Sequence, residues 1–202
     1  MRRISGKTYI DESSTYMTAQ PIQAVAVFCG SQAGDHPMYP THAEALGRGL
    51  AVKGIRLVYG GGAKGLMGAV ANAHLEAGGH VTGIIPQILS NFEHQHTGLS
   101  ELVITKDMHE RKRLLYERCD AAIVLPGGFG TLDELFEMLT WNQLSIHDKP
   151  IAILNTSGFY GPLMQYLLHL EKSGFLYGHL SDRVRLYDTP EALLDALPVL
   201  RS

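Results

Sequence analysis

The chain has 202 residues, 45% of them apolar, with 17 basic and 20 acidic side chains and a formal net charge of −3. A globular chain of this length buries about 70% of the surface its unfolded form exposes, so one core can hold it without metal or disulfide staples. The near-neutral balance excludes the basic footprint that nonspecific nucleic-acid binding requires, and no apolar run approaches the length of a membrane span.

The two cysteines, Cys29 and Cys119, form no CxxC pattern and read as small buried residues of a reducing compartment. Arg2 and Arg3 are not followed by an apolar targeting segment. The expectation is a cytoplasmic protein with neither a nucleic-acid nor a membrane partner.

Residues 1–22 are polar and without periodicity, and are predicted to be a flexible extension to a single domain over 23–202. The first buried strand is predicted over Ala24 to Cys29, followed by a helix over 38–53 and a strand from Arg56 to Tyr59. There the first glycine cluster begins, Gly60-Gly61-Gly62-Ala63-Lys64-Gly65, which satisfies G-x-G-x-x-G at the head of a helix over 65–77.

Two readings compete for this cluster. One is a dinucleotide turn; the other is a set of glycines that let the helix pack tightly on the sheet. The dinucleotide reading wants an acidic residue closing the next strand, about 20 positions on. That strand, Val81 to Ile85, ends in Pro86-Gln87, with no acid until Glu93, so an NAD-dependent oxidoreductase is disfavoured. The Lys-Ser/Thr pair of a P-loop is also missing, since Leu66-Met67 follow Gly65.

A strand from Leu102 to Thr105 leads to a helix over 107–119, with Asp107 as its cap. His109 and Arg113 fall on its solvated face, whereas Arg111 falls between the directions of Leu114 and Leu115. A cation in the first turn opposes the helix dipole. An inward arginine there needs an anionic partner, either a carboxylate or a ligand.

The strand from Ala121 to Leu125 ends in the second cluster, Pro126-Gly127-Gly128-Phe129-Gly130-Thr131-Leu132-Asp133-Glu134. Glycines permit close backbone approach, and a helix starting at Thr131 offers free amides to an anion such as phosphate. Thr131 and Glu134 also spell a capping box, in which the glutamate would bond back to the cap's own amide rather than do chemistry.

Along this helix, predicted over 131–146, Leu132, Leu135, Phe136 and Leu139 form the expected core stripe. Glu134, Met138 and Trp141 share another side, suited to a cleft or an interface. Strands from Ile151 to Leu154 and Val184 to Tyr187, with helices over 159–173 and 189–197, complete the pattern; Thr189-Pro190 starts the last helix.

Strict alternation of strands and helices predicts an α/β fold: a Rossmann-like, doubly wound, mostly parallel sheet of about seven strands with helices on both faces. Both glycine clusters lie at carboxyl ends of strands, where such sheets bind ligands. From the residues alone, the chain offers an anion loop with a carboxylate one turn along and a guanidinium on a neighbouring helix, a set that suits a phosphorylated sugar or nucleotide. His94-Gln95-His96 is not accompanied by HExxH or Cys/His ligand spacing, so no metal is expected. No lysine has the recognisable setting of a pyridoxal phosphate Schiff base, and no cofactor is expected.

Between residues 23 and 197 the chain resembles the Lonely Guy family, the cytokinin riboside 5′-monophosphate phosphoribohydrolases, some of which once carried the name lysine decarboxylase. The resemblance rests on Gly60-Gly61-Gly62 through Gly65-Leu66-Met67-Gly68, Met108-His109-Glu110-Arg111-Lys112, the P-G-G-x-G-T-x-x-E run from Pro126 to Glu134, and Thr140-Trp141 before Ile146-His147-Asp148-Lys149-Pro150. It implies hydrolysis of the N-glycosidic bond of an adenine-type nucleoside 5′-monophosphate, and a homodimer.

By the same resemblance, Arg111 and Glu134 are the catalytic residues. Glu93, Met108, Lys112, Gly127, Gly128, Phe129, Gly130 and Thr131 are the substrate-binding residues. The segment from Ser90 to Ser100 departs from the plant pattern, which leaves the choice between prenylated and plain adenine open. A nucleotide-binding or sensor protein without turnover is the alternative from another class.

Overall fold

The computed structural model describes residues 21–90 and 95–199. The predicted extension therefore lies outside the described residues, apart from its last two positions, and so does Glu93. Ile22 already packs against the core.

Seven strands form one sheet: β1 (Ala24–Phe28), β2 (Arg56–Tyr59), β3 (Val81–Pro86), β4 (Glu101–Thr105), β5 (Ala121–Val124), β6 (Ile151–Leu154) and β7 (Val184–Tyr187). Every pairing is parallel, in the order β4-β3-β2-β1-β5-β6-β7. The runs AVAVF, VTGIIP, AAIV and IAIL are buried along their whole length, which is why the sequence shows apolar blocks instead of alternation.

Helices cover both faces. On one, α1 (Met38–Val52), α2 (Gly65–Glu76) and α7 (Pro190–Ala196) bury Leu46, Leu50, Leu66, Val70 and Leu193 against Val25, Leu57 and Ile123. On the other, α4 (Met108–Glu117), α5 (Phe129–Gln143) and α6 (Gly161–Lys172) bury Leu115, Leu135, Met138 and Leu167 against Phe28, Val124 and Ile153. A one-turn helix, α3 (Gln87–Ser90), follows β3 and escaped prediction because four residues carry no helical period.

Close packing of α1 on α2 requires Gly47, because a Cβ there would collide with the Val70 carbonyl. The carbonyl of Gly47 accepts a hydrogen bond from Nδ1–H of the fully buried His74, 3.0 Å away. The predicted caps are in place: the Asp107 side chain accepts from the Glu110 amide at 2.8 Å, and the Thr189 hydroxyl accepts from the Ala192 amide at 3.3 Å. Both cysteines are buried, and no disulfide joins them. No helix among the described residues is long and apolar enough to cross a membrane.

The strand order fixes where a ligand can enter. The chain winds outward from β1 to β4, then returns to β1's other side with β5, so the switch point lies between β1 and β5. There the Gly30 amide donates to the Pro126 carbonyl at 3.0 Å, tying the two loops together.

Candidate active site

The two glycine clusters differ in what their missing side chains face. At Gly60 a Cβ would stand 2.5 Å from Arg111 Nη2, and at Gly61 it would stand 3.4 Å from Ile85 Cβ. At Gly62 it would touch Met67, and at Gly65 it would strike the Ser31 backbone. The first amides of α2 are also taken, since Leu66 and Met67 donate to the Gly30 carbonyl at 3.0 and 3.3 Å.

Across this loop runs the Gln95–His96 segment: Gln95 bridges Gly62, and the His96 amide donates to the Gly61 carbonyl at 3.0 Å. The packing reading of the first cluster therefore prevails over the dinucleotide reading. These glycines admit neighbouring protein atoms in the directions where a ligand would approach.

In the second cluster, Gly128 and Gly130 face open space, with nothing within 4 Å of either hypothetical Cβ. Gly127 is the packing glycine here, because a Cβ would run into the Thr131 side chain and stand 2.8 Å from the Gly30 amide nitrogen. The first turn-to-turn bond of α5 runs from the Leu132 amide to the Gly128 carbonyl at 3.1 Å. The amides of Phe129, Gly130 and Thr131 precede it and have no intrahelical acceptor, which leaves a cradle for an anion.

The structure corrects the reading of Thr131 as helix cap. The helix begins two residues earlier, with Gly128 at the cap position and no capping side chain, so Thr131 is the third helical residue, 3% exposed. Because Gly127 leaves room, the Thr131 side chain packs beneath the loop. Glu134 ion-pairs with Arg111, so the capping box does not form.

The expected core stripe is rotated as well. Thr131, Glu134, Leu135 and Met138 are the buried residues of α5, while Phe136 is exposed. The side that begins at the carboxylate thus faces inward, against α4 and the sheet.

Glu134 is 8% exposed, and its Oε1 lies 3.0 Å from Arg111 Nη1. Arg111 reaches it from α4, its Nε–H donating to the Ile84 carbonyl at 3.1 Å, with Nη2 beside Gly60. This answers the question the sequence left open: the partner of the inward arginine is a carboxylate. Burial pushes the Glu134 carboxyl above its ordinary pKa; the Arg111 charge works against that shift, Asp133 adds to it, and Lys112 opposes it.

Beneath the pair, burial and the Glu134 charge hold the Cys29 thiol protonated, far above its usual range. Two buried tyrosines fasten the neighbouring loops. Tyr59 donates to the Gly62 carbonyl at 3.1 Å, and Tyr160 donates to the Leu125 carbonyl at 2.7 Å.

Met108 opens α4, partly exposed, three residues before Arg111, and Phe129 opens α5 with 93% of its surface exposed at the rim of the cradle. Lys112 turns sideways from Arg111 to Asp133, 2.8 Å away, and Glu137, 3.5 Å away. On the other side of the α5 start, a mainly apolar cleft of about 300 Å³ is lined by the loop after β1, Tyr39, Phe159 and Gly127–Gly128.

A family model described as "Possible lysine decarboxylase" matches residues 67–197. A cytokinin riboside 5′-monophosphate phosphoribohydrolase of Rhodococcoides fascians is 44% identical over 176 residues, covering 87% of this chain and 89% of that protein. The chain belongs to the Lonely Guy family. A probable phosphoribohydrolase of the same designation from Oryza sativa subsp. japonica is 41% identical over 191 residues, covering 93% of this chain and 78% of that protein. Among solved structures, the molybdenum cofactor binding protein of Rippkaea orientalis aligns with a TM-score of 0.67 at 22% identity, over 91% of this chain and 98% of that one. That likeness shows the shared fold alone.

Within this Lonely Guy chain, sequence reasoning missed the residues that seat the pair. Gly60 and the Ile84 carbonyl have no signal of their own, because a vacancy and a backbone oxygen leave no mark in a motif. Asp133 and Glu137 were legible as an i, i+4 acidic pair on α5, and nothing in their spacing said that Lys112 would reach both.

Proposed function

We propose that this protein hydrolyses the N-glycosidic bond of adenine-type nucleoside 5′-monophosphates, releasing the free base and ribose 5-phosphate. The observation that carries the reading is the buried Arg111–Glu134 pair, 3.0 Å apart, beside a helix start whose glycines face open space. The names of its relatives, cytokinin riboside 5′-monophosphate phosphoribohydrolases, support the same reaction. AMP and its N6-substituted forms are the proposed substrates. A homodimer acting in the cytoplasm belongs to the same proposal.

Cleavage of the bond between C1′ and the base nitrogen builds positive charge on the ribose ring. A carboxylate held beside C1′ stabilises that charge and takes a proton from the attacking water. In the proposed arrangement Glu134 fills this role. Arg111 fixes the nucleotide and stabilises the departing base as electrons collect on it. The amides from Gly128 to Thr131 take the phosphate, with Gly127 shaping the turn. Lys112, Met108 and Phe129 line the approach, and Glu93 is proposed as a further substrate contact. Anchoring the phosphate converts remote binding into orientation at C1′, so a nucleoside without phosphate reacts poorly.

The test is to incubate the purified protein with AMP, isopentenyladenosine monophosphate and the matching nucleosides, and to assay ribose 5-phosphate and free base. Release from the monophosphates with little from the nucleosides is the expected result. AMP binding without turnover would instead select a nucleotide-binding protein.

A further inference from the structure

Arg111 and Lys112, adjacent on α4, divide their partners on α5. Arg111 points inward to Glu134, while Lys112 reaches Asp133 and Glu137, which lie one helical turn apart on the neighbouring side. The two carboxylates on Lys112 are not equivalent. Asp133 has a side chain 56% exposed, so its pairing is screened by water, whereas that of Glu137 is 23% exposed.

Glu137 is also tied into buried structure. Its Oε2 accepts a hydrogen bond from the Tyr116 hydroxyl at 2.8 Å, and Tyr116 is 4% exposed and packed against Trp141, the rings tilted by 51° with centroids 4.4 Å apart. The carbonyl of Tyr116 accepts from Lys149 Nζ. Lys112 Nζ therefore stands between carboxylates of the fifth and ninth residues of α5, the nearer of which lies roughly 6 Å along the helix from its first residue at 1.5 Å rise per residue. An ammonium on a flexible four-carbon stem would otherwise sample many positions there.

We propose that Glu137 is a positioning residue that, anchored by Tyr116, holds the Lys112 ammonium toward the phosphate of a nucleotide bound at the Gly128–Thr131 amides. The inference rests on the nucleotide reading above. Glu137 touches no substrate; it acts through Lys112, and its removal leaves the ammonium to Asp133 and water.

The test is calorimetric binding of AMP and adenosine to the full chain, read separately from turnover. Glu137→Gln is expected to weaken AMP about tenfold, the scale of a charge-assisted hydrogen bond, and to leave adenosine within about twofold. Tyr116→Phe should give a smaller loss in the same direction. In a Lys112→Met background, Glu137→Gln should have no further effect on AMP.

Unchanged AMP affinity in Glu137→Gln overturns the proposal. So does an equal loss for AMP and adenosine, the mark of a purely structural clamp, or a loss that persists without Lys112. Wild-type protein that binds AMP but releases no ribose 5-phosphate overturns the hydrolase reading and leaves these affinity comparisons decisive for Glu137. Wild-type protein that does not bind AMP overturns both.

Discussion

Arg111 and Glu134 stand on helices that follow different strands, β4 and β5, and they meet 3.0 Å apart over the carboxyl ends of the sheet. Neither helix alone would keep its charge there. Arg111 lies in a first turn that disfavours cations, and Glu134 is buried. Each makes the other tolerable, with Gly60 giving the guanidinium its space.

That space yields the first prediction. Alanine at position 60 would place a methyl 2.5 Å from Arg111 Nη2, the far end of a flexible side chain, at a position without a positive φ. Gly60→Ala should fold with nearly unchanged Tm yet lose about 10²-fold in kcat/KM, the scale of a roughly 1 Å displacement of a reacting group. Thermal melts and steady-state kinetics on one preparation check both halves. Arg111→Lys, which loses the planar fork, should be similarly impaired.

The adjacent glycines of the second cluster should separate stability from binding. Gly128→Ala puts a methyl into open space where the anion is proposed to approach. It should weaken AMP about 10- to 100-fold, the value of one or two hydrogen bonds to a charged group, with little change in Tm. Gly127→Ala meets the Thr131 side chain and the Gly30 amide, and should destabilise the fold by about 1–3 kcal/mol, as overpacking does. Denaturant melts and AMP titration of the two variants provide the comparison.

Fold and site were legible to different depths. All seven strands and six of the helices follow from apolar blocks alternating with amphipathic stretches, most plainly at β1, β3, β5 and β6, where burial on both faces writes itself into composition. The inward direction of Arg111 was readable from its place between Leu114 and Leu115. The start of α5 was not: Gly128 caps without a side chain, so Thr131, the nearest good capping residue, attracted the boundary. The role of the first glycine cluster was equally hidden, since G-x-G-x-x-G reads the same whether the vacancies admit phosphate or, as here, Arg111, Met67 and Ser31.

The activity of the enzyme should show its carboxylate in the acid limb of the pH profile. In its proposed role Glu134 must be ionised to stabilise a cationic sugar, and burial raises its pKa, so kcat/KM should rise with pH through a value above the ordinary carboxylate range of about 4.3. Asp133 pushes that pKa up, so Asp133→Asn should move the acid limb to lower pH. A limb that stays fixed or moves upward would contradict this electrostatic account.

Stability should respond to pH through His74. Its ring is fully buried, and burial lowers its pKa below the unfolded value of about 6.5. The unfolded chain therefore binds the proton first. The contribution is fully present above that unfolded value and is lost as pH falls toward the lowered folded value. Denaturant melts between pH 7.5 and pH 5 should show this loss, and His74→Asn, although less stable at neutral pH, should show a flatter dependence across this window.

The central claim is that the Glu134 carboxylate acts on the sugar of a bound mononucleotide. Its most direct test is ribose 5-phosphate release from AMP by wild-type protein and by Glu134→Gln, with circular dichroism to confirm that the variant is folded. A fall in turnover of about 10²–10⁴-fold at comparable AMP affinity is the predicted result. A folded Glu134→Gln protein that releases ribose 5-phosphate at close to the wild-type rate would contradict the claim.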